Sequence, residues 1–279
     1  MTNLDQQAFW TDSAGPAWVA LQQEMDVLLR PVLDVVMQRA ALEAGERVLD
    51  VGCGTGDSVE QIAQRIGSAG HVTGLDISET MLRHAHDRLG FLPQMRLLLA
   101  DAQTHAFDQS FDVIVSRFGV MFFDDTQAAF ANMWRALSPG GRMVLAAWGP
   151  APDNPWFMEP AAAARDVLGP MPKVDRTLPG PFAFEDADRV LTTLRSAGVD
   201  DPTVETSVLS LTPQGTLADA AELCCHIGPA DSALQYHDAD PDGKAAVKEA
   251  IISRFAKYDS PDGLHIPAVI HVFEARKPS

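Results

Sequence analysis

The segment Val48-Leu-Asp-Val-Gly-Cys-Gly-Thr-Gly56 decides the fold, because a short apolar run ends there in a carboxylate and three alternating glycines. Glycine has no Cβ, so such a loop lets the main chain approach a ligand closely where a strand ends. Several nucleotide-binding classes share this order of strand, glycine turn and helix, and the glycine spacing separates them. A dinucleotide fingerprint would place its third glycine at position 57, where this chain has Asp57. The P-loop lysine is missing as well, so the spacing disfavours both a nicotinamide dinucleotide and a P-loop phosphate site.

Strand and helix patterns alternate on both sides of this loop. Continuous apolar runs predict buried strands, and apolar residues at three- and four-residue spacing predict helices. The predicted strands are 47–51, 71–75, 95–100, 111–116 and 142–148, and the predicted helices are 15–42 (with a second helix beginning at Pro31), 58–66, 78–89 and 126–137. Residues 138–141 are predicted to be a turn. Such alternation is typical of a parallel sheet with right-handed crossovers.

Beyond Trp148 the pattern changes, because eight prolines interrupt residues 150–181. Helices are predicted at 158–168, 186–197, 216–227 and 240–257, and strands at 203–211 and 266–274. Helices between the two late strands have no place in the sheet, so we expect residues 212–262 to form a cap over a ligand cleft. The expected fold is α/β, a doubly wound, mostly parallel seven-stranded sheet. We expect one domain, with N-terminal helices in 1–44, a cofactor-binding core in 45–150 and a substrate-side half in 151–279.

Composition narrows the classes of partner. The 279 residues include 38 acidic and 21 basic ones, a formal net charge of −17, which disfavours binding to nucleic acid. Three cysteines do not suggest a disulfide framework, and no Cys/His spacing fits a metal site. Residues 1–10 lack the features of a signal peptide, and no apolar run is long enough to span a bilayer. We therefore expect a cytoplasmic protein without a membrane partner; the oligomeric state stays open.

Carboxylates are predicted at the ends of three successive strands: Asp50, Asp76 and Asp101. Asp76 follows the glycine loop by about 20 residues, where a carboxylate can accept hydrogen bonds from both hydroxyls of a ribose. Each aspartate taken alone is equally consistent with a helix N-cap or a solvated strand end. All three together with the glycine loop favour a cofactor site.

The loop and its surroundings, over residues 45–150, resemble the class I S-adenosylmethionine-dependent methyltransferases, and most of all the small-molecule branch with the ubiquinone/menaquinone biosynthesis methyltransferases. The resemblance implies a Rossmann-like methyltransferase fold and S-adenosylmethionine as cofactor, with S-adenosylhomocysteine as product. It also implies methyl transfer to an O, N, S or C nucleophile of a small, apolar or aromatic molecule. The cofactor-binding residues that it implies are Asp50, Gly52, Cys53, Gly54, Gly56, Asp76, Ile77, Met81, Asp101, Ala102, Gln103 and Ser116.

The segment after the fourth strand would lie beneath the sulfonium in this family and open the substrate pocket. Phe118, Met121 and Phe122 share a face if the segment is helical. With Trp148 and Trp156 they could line an apolar, aromatic pocket at the strand ends. Ordinary core packing is the alternative for these five side chains.

His226, within the predicted cap, is the one candidate for a general base, because its pKa range suits proton acceptance. A histidine that merely lies on the helix surface or in the core is the alternative. Three rival functions also remain: an S-adenosylmethionine-binding enzyme that catalyses a rearrangement or decarboxylation, a nicotinamide oxidoreductase, and a non-catalytic binding module.

Overall fold

Seven strands form one sheet in the computed structural model, which describes residues 3–279. The strands of this part of the chain are β1 (Arg47–Val51), β2 (His71–Asp76), β3 (Met95–Leu99), β4 (Phe111–Arg117), β5 (Leu137–Trp148), β6 (Thr203–Leu211), β7 (Asp259–Ser260), β8 (Gly263–Leu264) and β9 (Ile266–Arg276). The sheet order is β3-β2-β1-β4-β5-β9-β6, and β7 and β8 pair as a separate hairpin. Strands β1 to β5 pair in parallel, whereas β9 runs antiparallel to both of its neighbours. The predicted doubly wound, mostly parallel seven-stranded fold is confirmed.

The helices follow the predicted alternation. They are α1 (Leu4–Ala8), α2 (Ala14–Ala20), α3 (Gln22–Leu28), α4 (Arg30–Ala40), α5 (Asp57–Ile66), α6 (Glu79–Leu89), α7 (Thr126–Ala136), α8 (Pro155–Leu168), α9 (Ala187–Ser196), α10 (Leu217–Cys224), α11 (Pro229–Tyr236) and α12 (Pro241–Phe255). Ser78 caps α6 as predicted, since its hydroxyl accepts a hydrogen bond from the Met81 N–H. Within residues 3–279, none of the helices has the length and apolar character needed to cross a membrane.

Several predicted boundaries differ from the observed ones: residues 15–42 form three helices, α2 to α4, and α8 begins at Pro155. Two further differences have a clear tertiary or local reason. The predicted turn at 138–141 is part of β5, because the Gly140 N–H donates to the Lys277 carbonyl and keeps this segment extended beside β9. The predicted helix 216–227 ends at Cys224 instead. Gly228 then turns the chain with a positive φ of 85°, and Pro229 begins α11.

The helices α10 to α12 connect β6 to β9, where the sequence places the cap. Strand β6 is parallel to β5, because both run antiparallel to β9. The connection therefore leaves the sheet at the edge where the parallel strands have their carboxyl ends, the edge that binds ligands in open α/β sheets. Helices α11 and α12 pack mainly against α8. The boundaries of the predicted domain parts, and the role of the cap as a cover, stay predictions.

Candidate cofactor site

The predicted cofactor-binding residues lie at the carboxyl ends of four neighbouring strands. Asp50 lies in β1, Asp76 ends β2, Asp101 follows β3, and Ser116 lies near the end of β4. These strands are adjacent in the sheet and parallel, so their carboxyl ends meet at one edge. The fold thus brings together residues that are up to 66 positions apart in sequence.

Asp76 fixes the shape of the glycine loop. Its Oδ2 accepts a hydrogen bond from the Gly54 N–H at 2.8 Å, and its Oδ1 accepts one from the Ser78 N–H at 2.8 Å. Burial raises the pKa of Asp76, and these main-chain hydrogen bonds lower it. The Ile77 N–H also lowers the pKa of Asp76, so three main-chain donors act on a carboxylate with about four acceptor positions, and Asp76 can still accept from a ligand.

Asp50 is a buried carboxylate with one oxygen that lacks a partner in the described part of the chain. Its Oδ2 accepts a hydrogen bond from the Ser58 hydroxyl, whereas its Oδ1 makes none. Burial raises the pKa of Asp50 to about 7, against the opposing effect of the Ser58 hydrogen bond and the positive charge of Arg117. An unpartnered buried acceptor costs free energy, so this oxygen suits a donor that a ligand would bring.

Asp101 repeats this arrangement beyond β3. Its Oδ1 accepts a hydrogen bond from the Gln103 N–H at 2.9 Å, and its buried Oδ2 has no partner among residues 3–279. The surrounding loop is held in place, since the Asn132 amide donates to the Ala102 carbonyl at 2.8 Å. The Gln103 Oε1 accepts a hydrogen bond from the Asp125 N–H at 2.9 Å. Asp101 therefore presents a free acceptor from a fixed loop.

A side chain at each of the three loop glycines would meet a different obstacle. A Cβ at Gly52 would lie 2.6 Å from the Cα of Gly119, and a Cβ at Gly56 would lie 2.7 Å from Leu89 Cδ1. These two glycines therefore allow close packing within the protein. A Cβ at Gly54 would meet only the Met81 methyl group, 3.0 Å away, so Gly54 alone borders a side chain that can move.

Three other predicted cofactor residues flank this loop. Cys53 is buried, and burial raises its thiol pKa well above the usual value, which disfavours a reactive thiolate. Ser116 is also buried, and its hydroxyl donates to the Val51 carbonyl at 2.7 Å. Ile77 is half-buried beside Asp76.

Asp57 has a role that the sequence did not reveal. Its carboxylate, only 3% exposed, pairs with Arg30 of α4 at 3.2 Å and with Arg117 of β4 at 3.1 Å. The first residue of α5 thereby ties the helix after the glycine loop to two other elements. A carboxylate in the first turn of a helix is the only signal that the sequence offered.

The predicted aromatic pocket residues divide between three places. Phe118 has a left-handed backbone, φ 69°, just before the helical turn Gly119–Phe122, and its ring stacks on Trp148 with centroids 4.1 Å apart. Phe122 contacts Trp10 instead, with ring centroids 5.0 Å apart. Trp156 belongs to α8, and its ring stacks on Phe255 of α12 with centroids 5.8 Å apart. Met121, in the same turn as Phe122, is 1% exposed and belongs to the core. The structure brings Phe118 and Trp148 together and does not bring Trp156 to them.

His226 lies at the surface of the cap, and its side chain is 47% exposed. Its Nε2 is 2.9 Å from Glu222 Oε1 and 3.1 Å from Lys244 Nζ. The structure therefore places His226 in an exposed charged cluster and does not join it by a hydrogen bond to the strand-end carboxylates. Among residues 3–279, no group of three or more His, Cys, Asp or Glu side chains could hold a metal ion.

Comparisons with known proteins agree with this geometry. Residues 48–141 match the family model for a methyltransferase domain. Over 110 residues the chain is 37% identical to the ubiquinone/menaquinone biosynthesis C-methyltransferase UbiE of Idiomarina loihiensis. That alignment covers 38% of this chain and 44% of that protein. It is 38% identical over 110 residues to the demethylmenaquinone methyltransferase of Staphylococcus epidermidis, covering 39% of this chain and 46% of that protein. Each match therefore spans less than half of its relative.

A solved structure extends the likeness in fold. The phosphoethanolamine N-methyltransferase 2 of Haemonchus contortus, in complex with S-adenosyl-L-methionine, matches with a TM-score of 0.59 at 19% identity. The match covers 100% of this chain and 60% of that one. At this identity it supports the fold alone. The family model and the two relatives go beyond the fold: residues 48–141 match a methyltransferase domain, and this part of the chain resembles the quinone-biosynthesis methyltransferases.

Proposed function

We propose that this protein is an S-adenosylmethionine-dependent methyltransferase that methylates a small, apolar or aromatic molecule. One observation carries the proposal: Asp50 Oδ1 and Asp101 Oδ2 are buried acceptors without a partner in the described chain, at the ends of nearby parallel strands. Buried polar atoms in folded proteins normally have a hydrogen-bond partner, so two exceptions at one sheet edge favour a ligand there.

The three carboxylates provide acceptors for the hydrogen-bond donors of the proposed cofactor. Asp50 Oδ1 would accept a hydrogen bond from the ammonium group of the methionine part, beside the glycine loop. Asp76 would accept hydrogen bonds from the two ribose hydroxyls, beside the Gly54 and Ser78 N–H groups that fix its position. Asp101 Oδ2 would accept one from the adenine amino group. The cofactor, when bound, supplies a methyl group that its sulfonium has already activated.

The stacked pair Phe118 and Trp148 supports the proposed substrate class. Phe157 packs edge-on against Trp148 at 5.1 Å, and Phe182 packs edge-on against Phe157 at 5.0 Å, so a continuous row of rings joins Phe118 to Phe182. Phe118 keeps a backbone conformation that is costly for a bulky residue, and such strain is found preferentially at functional sites. These rings would orient an apolar acceptor and keep water from it. The acceptor is an O, N, S or C nucleophile.

The position of the cap, the net charge and the cysteines support the remaining parts of the proposal. The connection between β6 and β9 leaves the sheet at the ligand edge, which supports a substrate-side half in 151–279 with a cover in 212–262. The net charge of −17 favours a small molecule over nucleic acid as partner. Three buried, unpaired cysteines fit the cytoplasm, where thiols stay reduced.

A screen of cell metabolites for release of S-adenosylhomocysteine tests the proposal, and mass spectrometry of the methylated product identifies the acceptor. Asp101→Asn should weaken cofactor binding, because its amide would turn a donor toward the adenine amino group. Asp108→Asn, in an exposed loop, is the matched control and should bind normally. Turnover without S-adenosylhomocysteine would contradict methyl transfer, and tight NADH binding would contradict the cofactor.

A further inference from the structure

Arg88, in the last turn of α6, binds the glycine loop directly. Its Nη1 donates a hydrogen bond to the Thr55 carbonyl at 2.7 Å, and its side chain is 23% exposed. Thr55 itself is 6% exposed, so this hydrogen bond is largely protected from competition with water. The glycine motif of the sequence does not include this contact.

The loop is held at two neighbouring main-chain groups. The Gly54 N–H donates to Asp76 at 2.8 Å, and the Thr55 carbonyl accepts from Arg88 at 2.7 Å. Only the peptide group between Gly54 and Thr55 separates these two anchors. A loop that is fixed on both sides of one peptide group has little freedom to turn that group away from a ligand.

Packing brings the same helix against the loop. Gly56 has a φ of 93°, and a Cβ there would lie 2.7 Å from Leu89 Cδ1 and 3.2 Å from Ala85 Cβ. Ala85, Arg88 and Leu89 are three and four residues apart, so they share one face of α6. This face therefore meets the loop with two apolar side chains and one cation.

Two carboxylates orient the Arg88 guanidinium. Asp26 of α3 lies 3.5 Å from its Nη1, and Glu60 of α5 lies 3.7 Å from its Nη2. The Asp26 side chain is 13% exposed, and within residues 3–279 Arg88 is the only cation in an ion pair with it. Such a partly buried pair is screened less by water and salt than an exposed one, so Asp26 holds Arg88 in one direction.

Asp26 and Arg88 also depend on each other electrostatically. Burial raises the pKa of Asp26, and the negative charge of Asp57 raises it further. The positive charges of Arg117 and Arg88 oppose this effect. Asp57 has its own partners, Arg30 and Arg117, so Arg88 is the cation that serves Asp26. Loss of Arg88 would leave Asp26 partly buried and without an ion-pair partner.

We propose that Arg88 is a positioning residue of the cofactor site: it holds the Thr55 carbonyl, and with it the glycine loop, in the conformation that receives the cofactor, and Asp26 orients Arg88. Arg88 acts through the loop main chain and does not need to touch the ligand. The inference rests on the proposed function for the identity of the ligand, and on the contacts of Arg88 for its role.

Titration calorimetry with S-adenosylhomocysteine, well below the melting temperature, tests the proposal. Arg88→Met keeps an unbranched apolar side chain and removes the donor, so the affinity should fall about tenfold. Arg83→Met is the matched control, because the Arg83 side chain lies on the same helix, is 68% exposed and pairs with Glu79. It should bind normally. Arg88→Lys keeps the charge and should recover part of the affinity.

A residue that only stabilises the fold would lower the melting temperature and leave the affinity of the folded protein unchanged. A less stable Arg88→Met with normal affinity would therefore overturn the proposal. Asp26→Asn should weaken binding less than Arg88→Met does. The double variant should bind no more weakly than Arg88→Met alone, because Asp26 acts through Arg88. Additive losses would overturn the role of Asp26.

Hydrogen exchange followed by mass spectrometry examines the loop without any ligand. Arg88→Met should speed exchange in residues 52–56 about tenfold, whereas Arg83→Met should not. Unchanged exchange there would overturn the proposal, because the loop would then be held without Arg88. If Arg88→Met does not fold, Arg88→Lys should show both effects in smaller degree. If the wild-type protein does not bind S-adenosylhomocysteine, the proposed cofactor is wrong, and the exchange measurement still decides the role of Arg88.

Discussion

The Asp76 carboxylate and the Gly54 N–H form a hydrogen bond of 2.8 Å that joins the end of β2 to the middle of the glycine loop. The two residues are 22 positions apart in sequence, and the bond sets the position of the loop main chain relative to a carboxylate proposed to bind ribose. Loop geometry and ligand recognition therefore depend on one side chain.

Asp76→Ala should weaken S-adenosylmethionine binding by at least about tenfold, because charge-assisted hydrogen bonds contribute about 1.5–3 kcal/mol each. It should also lower the melting temperature, since the Gly54 N–H loses its acceptor. Asp76→Asn has one acceptor for two N–H donors, so it should keep part of the affinity and lose stability. Calorimetric titration and thermal unfolding measure both quantities. Normal binding by Asp76→Ala would leave Asp76 as a purely structural residue.

Gly54→Val should abolish cofactor binding and retain the fold. The backbone φ of 54° and the Met81 methyl 3.0 Å from the added Cβ both oppose a branched side chain. Gly198→Val is the matched control, since it has a φ of 85° and no atom within 4 Å of an added Cβ. Gly198→Val should lower the free energy of unfolding by about 1–3 kcal/mol through backbone strain and leave the affinity for the cofactor unchanged. Titration calorimetry that finds normal affinity for Gly54→Val would contradict the placement of the site.

Asp50 should make the free energy of unfolding depend on pH. Its pKa is about 7 in the folded protein and about 3.9 in an unfolded chain, so the folded state binds the proton more tightly. The resulting stabilisation is complete below about pH 4 and is lost as the pH rises to about 7. Asp50→Asn should flatten this dependence and be more stable than the wild type near pH 8, yet bind the cofactor more weakly.

Urea unfolding at several pH values, together with calorimetric titration of the cofactor, measures the two opposite effects at Asp50. Asp108→Asn, at an exposed site, is the control and should follow the wild type in both. A parallel pH dependence for Asp50→Asn and the wild type would show that Asp50 does not retain its proton in the folded protein.

His226 is still the candidate general base that the sequence predicted, and the structure places it in an exposed charged cluster with Glu222 and Lys244. If it accepts a proton from a hydroxyl or thiol, His226→Ala should lower turnover strongly, with partial recovery at higher pH. Lys244→Met removes the neighbouring cation and is the control for disruption of the cluster itself. Wild-type turnover in His226→Ala would leave this histidine as a surface residue of the cap.

Replacing residues 212–262 with a short Gly/Ser linker should reduce methyl transfer far more than cofactor affinity, because exclusion of water belongs to a closed substrate side. The linker also removes Phe255, so it exposes Trp156 and should lower the melting temperature. Phe255→Ala separates the two effects, since it loosens the cap and leaves it in place. Wild-type turnover by the linker variant would contradict the role of the cap as a cover.

The sequence alone determined the features that depend on neighbouring residues. Strands β1 and β6 have the predicted bounds, 47–51 and 203–211, because apolar runs and alternation are local patterns. The Ser78 cap of α6 was predicted for the same reason. The glycine loop and the aspartates near the strand ends predicted that they would meet at one side of the sheet, because parallel strands end at one edge; that a cofactor binds there stays a prediction.

Only the tertiary structure decided which distant residues meet. Residues 138–141 continue β5 because Lys277, far along the chain, binds Gly140. The sequence does not distinguish the environments of Trp148 and Trp156. In the structure, Trp148 stacks on Phe118 and Trp156 stacks on Phe255. Trp10 and Thr11 contact the start of α6 because their main-chain carbonyls accept hydrogen bonds from the hydroxyls of Ser78 and Thr80. Main-chain acceptors are the same at every residue, so no sequence pattern marks such a contact, and only the packed chain selects it.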